Sequence, residues 1–384
     1  MSFAPAAHHV HESAELCALR VDVRAFIRDE IASGGFVPAV DCWLNSWDAA
    51  FSRRLAARGW LGMTIPVEYG GHGRTFLERF VVTEELLAAG APLAAHWISD
   101  RQIGPSLMKF GSEEQRRKLL PGIAAGEVFF AIGMSEPDSG SDLASVRTKA
   151  VKVDGGWQLT GSKIWTSGAH LSHYFIVLAR SAPLDPEHRH AGLSQYIVAL
   201  DAPGIEIRPI VSMNGHHHFN QVFFDGVFVP DAMLFGREGD GWKQVTSELS
   251  YERSGPERFL STWPVLAEMA AATARGDLAP DPELGRMFAR LMALHQMSLS
   301  VADALTNGRA TDQEAAIVKV LGTATEGDIA ELAGSTIGGG DASDGLARLR
   351  AMTATALLSR PGFTLRGGTN EILRGVIARG LGLR

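Results

Sequence analysis

The feature that most restricts this chain's fold is its change of hydrophobic period, from helical to strand-like near residue 129 and back to helical after Pro230. Upstream of the first change, Thr75-x-x-Glu78 and Ser112-x-x-Gln115 read as capping boxes, in which two side chains satisfy orphan backbone N–H groups at a helix start. The first of these helices is expected to stop at Gly90 and the second to be closed by Pro121. Residues 66–71 read as a tight loop in which Glu68 is the one side chain suited to catalysis. Downstream of residue 129, short runs rich in β-branched and aromatic residues take over. Residues 151–159 predict a hairpin with an Asp154-Gly155 turn, and 174–178, 196–200, 205–207 and 222–229 continue the strands. Segment 183–192, polar and twice broken by proline, reads as an exposed loop. The returning helical period breaks at 276–282 and carries a further capping box at Thr311-x-x-Glu314.

This order predicts an α+β multidomain protein: a helical domain over 1–128, a small antiparallel barrel or sandwich over 129–235, and a helical domain over 236–384. A Rossmann fold is excluded, since strands do not alternate with helices and no Gly-x-Gly-x-x-Gly follows a strand. The 384 residues, 46% of them hydrophobic, exceed the roughly 250 to 300 at which a single core stops growing, so several subdomains are expected. A formal net charge of -7 gives no electrostatic reason to expect nucleic acid or an anionic membrane as partner. Cys17 and Cys42 are too few for a disulfide framework and lack metal or redox spacing. The N-terminus lacks a signal-like pattern and no run approaches the ~18 apolar residues of a membrane span, so a cytoplasmic location is expected.

The chemistry is concentrated in Met134-Ser135-Glu136-Pro137-Asp138-Ser139-Gly140-Ser141-Asp142 and in Lys163-Ile164-Trp165-Thr166-Ser167-Gly168. Small residues let a bound group approach the backbone closely. Ser135 and Ser141 offer hydroxyls and neighbouring N–H groups suited to ring-edge atoms and phosphate oxygens. A third anchor is Arg366-Gly367-Gly368-Thr369-Asn370-Glu371-Ile372-Leu373-Arg374. With these motifs in this order, the chain resembles the acyl-CoA dehydrogenase family over nearly its whole length.

That resemblance implies an N-terminal helical domain, a middle antiparallel β-barrel and a C-terminal four-helix bundle. It also implies FAD as cofactor and FAD-dependent α,β-dehydrogenation of an acyl-CoA to a 2-enoyl-CoA, with an electron-transfer flavoprotein reoxidising the flavin. Met134, Ser135, Gly140 and Ser141 match flavin-contacting positions, Ser141 being also beside the substrate. Trp165 is implied to shield the flavin face and Ser167 to donate to flavin N5. Thr369 and Glu371 match positions near the ribityl chain and pyrophosphate, Gly339 belongs to a glycine pair that serves FAD, and Asn220 matches a position near CoA.

The reaction needs a carboxylate to take the α proton. Many relatives carry it as the glutamate of a Glu-Gly-Thr triplet, where this chain has Gly367-Gly368-Thr369. The usual base is absent there, although the Gly367 N–H remains available to a thioester carbonyl. Other relatives carry the base immediately before an arginine on the first long helix of the last domain. The corresponding stretch, 248–256, makes Glu252 the candidate base, with Glu371 as the alternative. Arg253 either helps hold acyl-CoA or bridges to Glu257 at i+4.

His216-His217-His218 does not read as a metal site, because alternation along a strand sends neighbours to opposite faces and no Cys or carboxylate lies at ligand spacing. His96-Trp97 and Asp100-Arg101-Gln102 either line the acyl pocket or serve helix packing. Gly285-Arg286-Met287-Phe288 and 335–339 depart from the family's partner-side FAD contacts. The family's habit implies a homodimer or homotetramer. Two rival readings stand beside it: a non-catalytic subunit of a hetero-oligomer that shares flavin sites with a related chain, and a flavin monooxygenase or oxidase on the same fold.

Overall fold

The chain begins with helices α1 (Ala14–Ala32), α2 (Cys42–Asn45), α3 (Ala49–Ala57), α4 (Phe76–Ala88), α5 (Ala94–Ile98), α6 (Gly104–Phe110) and α7 (Glu113–Ala124). Strands follow: β1 (Phe130–Gly133), β2 (Lys149–Val153), β3 (Gly156–Ser167), β4 (Tyr174–Arg180), β5 (Leu193–Ala199), β6 (Ile205–Val211), β7 (His217–Pro230) and β8 (Leu234–Phe235). Helices then return as α8 (Gly241–Glu252), α9 (Trp263–Arg275), α10 (Pro282–Thr306), α11 (Asp312–Ile337), α12 (Ala347–Phe363) and α13 (Asn370–Gly380). This computed structural model describes residues 13–309, 311–337 and 344–383, and the side chains of 248–252 and 344 also lie outside the description. Among the described residues no helix is long and apolar enough to cross a membrane.

The chain divides into two units, here called the sheet unit (47–74 and 94–251) and the helical unit (1–46, 75–93 and 252–384). In the sheet unit the hydrogen-bonded strand order is β6-β7-β3-β2-β4-β5-β8, with β1 beside β4. The Asp154-Gly155 hairpin forms as the sequence predicts, with Val153 opposite Gly156 and Gly155 at φ +71°. Pairing is mainly antiparallel, but β1 and β2 each meet β4 in parallel. Phe175, Ile176, Val177, Leu178 and Ala179 on β4 are all fully buried, each of the larger ones contributing about 1.5–3 kcal/mol by leaving water. Such burial on both faces explains why this strand reads as a continuous apolar run rather than an alternation. The predicted loop at 183–192 is exposed up to Ala191, with Gly192 half-buried.

In the helical unit α11 packs along α10, α12 and α13, while α4 packs against α1 and α10. Gly276, at φ +83°, ends α9, and Asp281 caps α10 by accepting from Glu283 N, which produces the predicted break. The Thr75 and Ser112 capping boxes both form. Two expectations are corrected. Pro121 does not close α7, which continues to Ala124 and ends before Gly126 at φ +68°. In the last turn a proline removes only one intrahelical bond, so the helix survives it. The box at Thr311 is not made either. Its buried hydroxyl has no partner, and the first turn of α11 carries Asp312 and Glu314 instead.

Candidate active site

Within the sheet unit, the two motif stretches are bonded to each other. Ile164 N donates to Ser135 O at 2.9 Å, and Lys163 Nζ donates to Met134 O at 3.0 Å and to Glu136 Oε1 at 2.8 Å. Glu136 also accepts from Arg147 N (2.6 Å) and Thr148 N (2.9 Å), so one carboxylate staples the Met134–Ser141 loop to the start of β2 and to β3. Burial pulls the Lys163 ammonium down to about 8 against the opposing attraction of Glu136. Burial alone would raise the Glu136 carboxyl; the Lys163 charge and the donated hydrogen bonds outweigh it and hold the group below the usual range. Both residues stand inside the two motifs, but no local pattern marks either of them for this pairing.

The same staple supports an irregular strand. The β3–β7 register shifts between Lys163 and Thr166, creating a bulge that contains Ile164 and Trp165. Trp165 adopts φ +59°, rare for a bulky residue, and its indole is 56% exposed, with Phe219 edge-on at 5.6 Å. Strain of this kind persists where surrounding structure enforces it, and it clusters at functional sites. The ladder resumes with Thr166 opposite Asn220 and Ser167 opposite Phe219, and Gly168 N donates to His218 O at 2.8 Å. Gly168 itself is required: its φ is +64°, and a Cβ there would lie 2.9 Å from the Trp47 ring.

A flavin fits what this unit offers. An exposed tryptophan stands on the bulge, half-buried Ser135 and Ser167 bring hydroxyls, and Gly140 and Ser141 are exposed, with open space where a Gly140 Cβ would be. Asn220, matched to a position near CoA, is fully buried, and its amide is engaged by Thr166 O, His218 O, His170 and His217, which fix it within the strand pair. The buried His96 bonds to Ser52, and burial pushes its imidazole down to about 4; Asp100 accepts from Gly62 N at 2.7 Å. Both contacts lie within the sheet unit.

In the helical unit, the C-terminal motif is held from several sides. Arg253 Nε donates to Gly367 O at 3.0 Å, a partner that neither sequence alternative for Arg253 included. Gly367 and Gly368 have φ of +66° and +86°, and a Cβ on Gly368 would stand 3.2 Å from Arg253 Nη2. The buried Lys319 donates to Thr364 O (2.9 Å) and Asn370 Oδ1 (2.8 Å), closing the turn at its base. Arg366 pairs with the buried Asp41 at 2.7 Å and lies over Trp43 and Phe363. Thr369 caps α13 by accepting from Ile372 N. Glu371 is exposed, and its carboxyl is held below the usual range by its own backbone N–H and by Thr369, a poor setting for a base. The Glu252 side chain and all of Gly339 lie outside the described residues.

Family models for the acyl-CoA dehydrogenase N-terminal, middle and C-terminal domains match residues 13–127, 131–227 and 280–382. The chain belongs to the acyl-CoA dehydrogenase family. It is 38% identical over 348 residues to the acyl-CoA dehydrogenase IpdE1 of Mycobacterium tuberculosis, covering 87% of each chain. Among solved structures, a Tcur3481-Tcur3483 steroid ACAD superposes with a TM-score of 0.85 at 32% identity, covering 97% of this chain and 99% of the other. The ChsE4-ChsE5 complex from Mycobacterium tuberculosis gives 0.80 at 28% identity, covering 98% and 99%. This acyl-CoA dehydrogenase is therefore an oxidoreductase of a flavoprotein family, with that family's order of helical, sheet and helical regions.

Proposed function

We propose that this acyl-CoA dehydrogenase binds FAD and converts an acyl-CoA to the corresponding 2-enoyl-CoA, with Glu252 as the base. Met134, Ser135, Gly140, Ser141, Trp165 and Ser167 serve the flavin ring, and Thr369 and Glu371 its polar tail. FAD supplies the acceptor for the β hydride. Glu252 takes the α proton, and the Gly367 N–H binds the thioester oxygen as enolate character develops. The observation that carries this reading is the Arg253–Gly367 hydrogen bond, which ties the residue after Glu252 to the turn proposed for the carbonyl. An electron-transfer flavoprotein reoxidises the enzyme. Anaerobic mixing of the FAD-loaded protein with straight-chain, branched and steroid side-chain acyl-CoAs tests the proposal: one class bleaches the flavin and yields an enoyl-CoA. No bleaching with any class contradicts it.

A second reading is favoured by two structural relatives, which are named as pairs of unlike chains. In it, this chain shares its flavin site with a related subunit. A chain that retains no FAD alone but acquires it when co-expressed with that subunit decides for the pair.

A further inference from the structure

Asn220 stands opposite Thr166, where the β3–β7 ladder resumes after the Trp165 bulge. The orientation of its amide is forced. Nδ2 lies 3.0 Å from Thr166 O and 3.4 Å from His218 O, and carbonyl oxygens only accept. Oδ1, 2.9 Å from His217 Nε2, therefore accepts, which puts a proton on that nitrogen. Nδ2 also reaches His170 Nδ1 at 3.1 Å, so this nitrogen accepts and His170 is the neutral Nε2–H tautomer. The two imidazoles stack with centroids 4.0 Å apart and planes 19° from parallel.

Protonation affects the two rings unequally. His217 donates to Asn220 in either state. A proton on His170 Nδ1 removes an acceptor, sets an N–H against the Asn220 amide hydrogens, and brings charge against the stacked ring. Among the described residues, His217 on β7 is the titratable group that bears on His170; burial first and His217 second hold His170 below the ordinary histidine range.

We propose that His170, acting through Asn220, is a positioning residue for the flavin-facing bulge: neutral, it keeps Thr166–Gly168 in register with β7, and protonated it releases them, loosening flavin in mild acid. This rests on the flavin reading given above. The carrying observation is the bond chain His170–Asn220–Thr166 O, one residue from both Trp165 and Ser167.

The test compares the full wild-type chain with His170→Gln, whose Oε1 can accept from Asn220 at any pH, and His170→Leu, which cannot at any. Deuterium uptake over residues 163–170, corrected for intrinsic exchange, and FAD release read by flavin fluorescence are measured at about pH 7.5 and about pH 5. In wild type both rise about five- to tenfold on acidification, the size expected for one lost hydrogen bond. His170→Gln stays low at both pH values and His170→Leu stays high at both. An equal acid response in wild type and His170→Gln overturns the proposal whether or not FAD binds. The expected exchange pattern in a chain that binds no FAD, either alone or co-expressed with a related subunit, upholds the backbone latch and overturns the flavin reading instead.

Discussion

Arg253 Nε donates to the Gly367 carbonyl at 3.0 Å, so the residue that follows the candidate base is bonded to the turn where many relatives keep theirs. The positions proposed for the base and for the carbonyl-binding N–H are thus joined by one contact across a long stretch of sequence. A planar guanidinium also fills the space beside Gly368 that any larger residue there would need.

Replacing Arg253 by Met therefore misaligns the reaction more than it weakens cofactor binding. A hydrogen bond from a charged donor contributes about 1.5–3 kcal/mol, so flavin reduction at saturating acyl-CoA is expected to slow by roughly tenfold or more. Stopped-flow reduction checks this, with the FAD content of the purified variant unchanged.

Gly367 cannot simply be returned to glutamate. At φ +66° a side chain costs about 1–2 kcal/mol, so Gly367→Ala is expected to lower the melting temperature by several degrees. Gly367→Glu placed on Glu252→Gln is expected to leave reduction slow, because a glutamate there has to adopt a strained left-handed backbone. Recovery of the rate in that double variant runs against the assignment.

Glu326 is buried beneath the same motif, accepts from Ser261 N at 2.8 Å, and is pushed up to about 7 by burial. A carboxyl whose folded pKa is raised contributes stability that is fully present below its unfolded value near 4.5 and lost as pH rises through about 7. Glu326→Gln keeps the acceptor without the charge. It is expected to be more stable than wild type at about pH 8, by on the order of 2 kcal/mol, with the gap closing in acid. Urea unfolding across that range measures the difference.

Lys163→Met leaves the buried Glu136 carboxylate without its cation. Breaking such a pair from one side costs about 3–5 kcal/mol, which urea unfolding of the chain reads directly.

What the sequence disclosed was what lies close along the chain. The Thr75 and Ser112 caps are bonds between residues three apart, and the Asp154-Gly155 turn is a local geometry, so both were legible. Pro121 and Thr311 depart from the local rule because of their surroundings: one sits where a helix tolerates proline, and the other has a buried hydroxyl without a partner. Long-range pairings left no local trace. Phe130 meets Tyr174 in parallel, Lys163 meets Glu136, and Arg253 meets Gly367 across 114 positions. In the site, motif residues could be named in advance, whereas the bonds that orient them could not. Asn220 shows the difference: it stands in the expected strand, while its amide's bond to Thr166 O left no local trace.

The central claim is that Glu252 is the base, and single-turnover flavin reduction by the acyl-CoA that bleaches the wild type tests it most directly. Glu252→Gln is expected to bind FAD and acyl-CoA normally while reducing about 100- to 10,000-fold more slowly, and to lose exchange of the substrate's α proton with solvent. A Glu252→Gln enzyme that bleaches as fast as wild type contradicts the account.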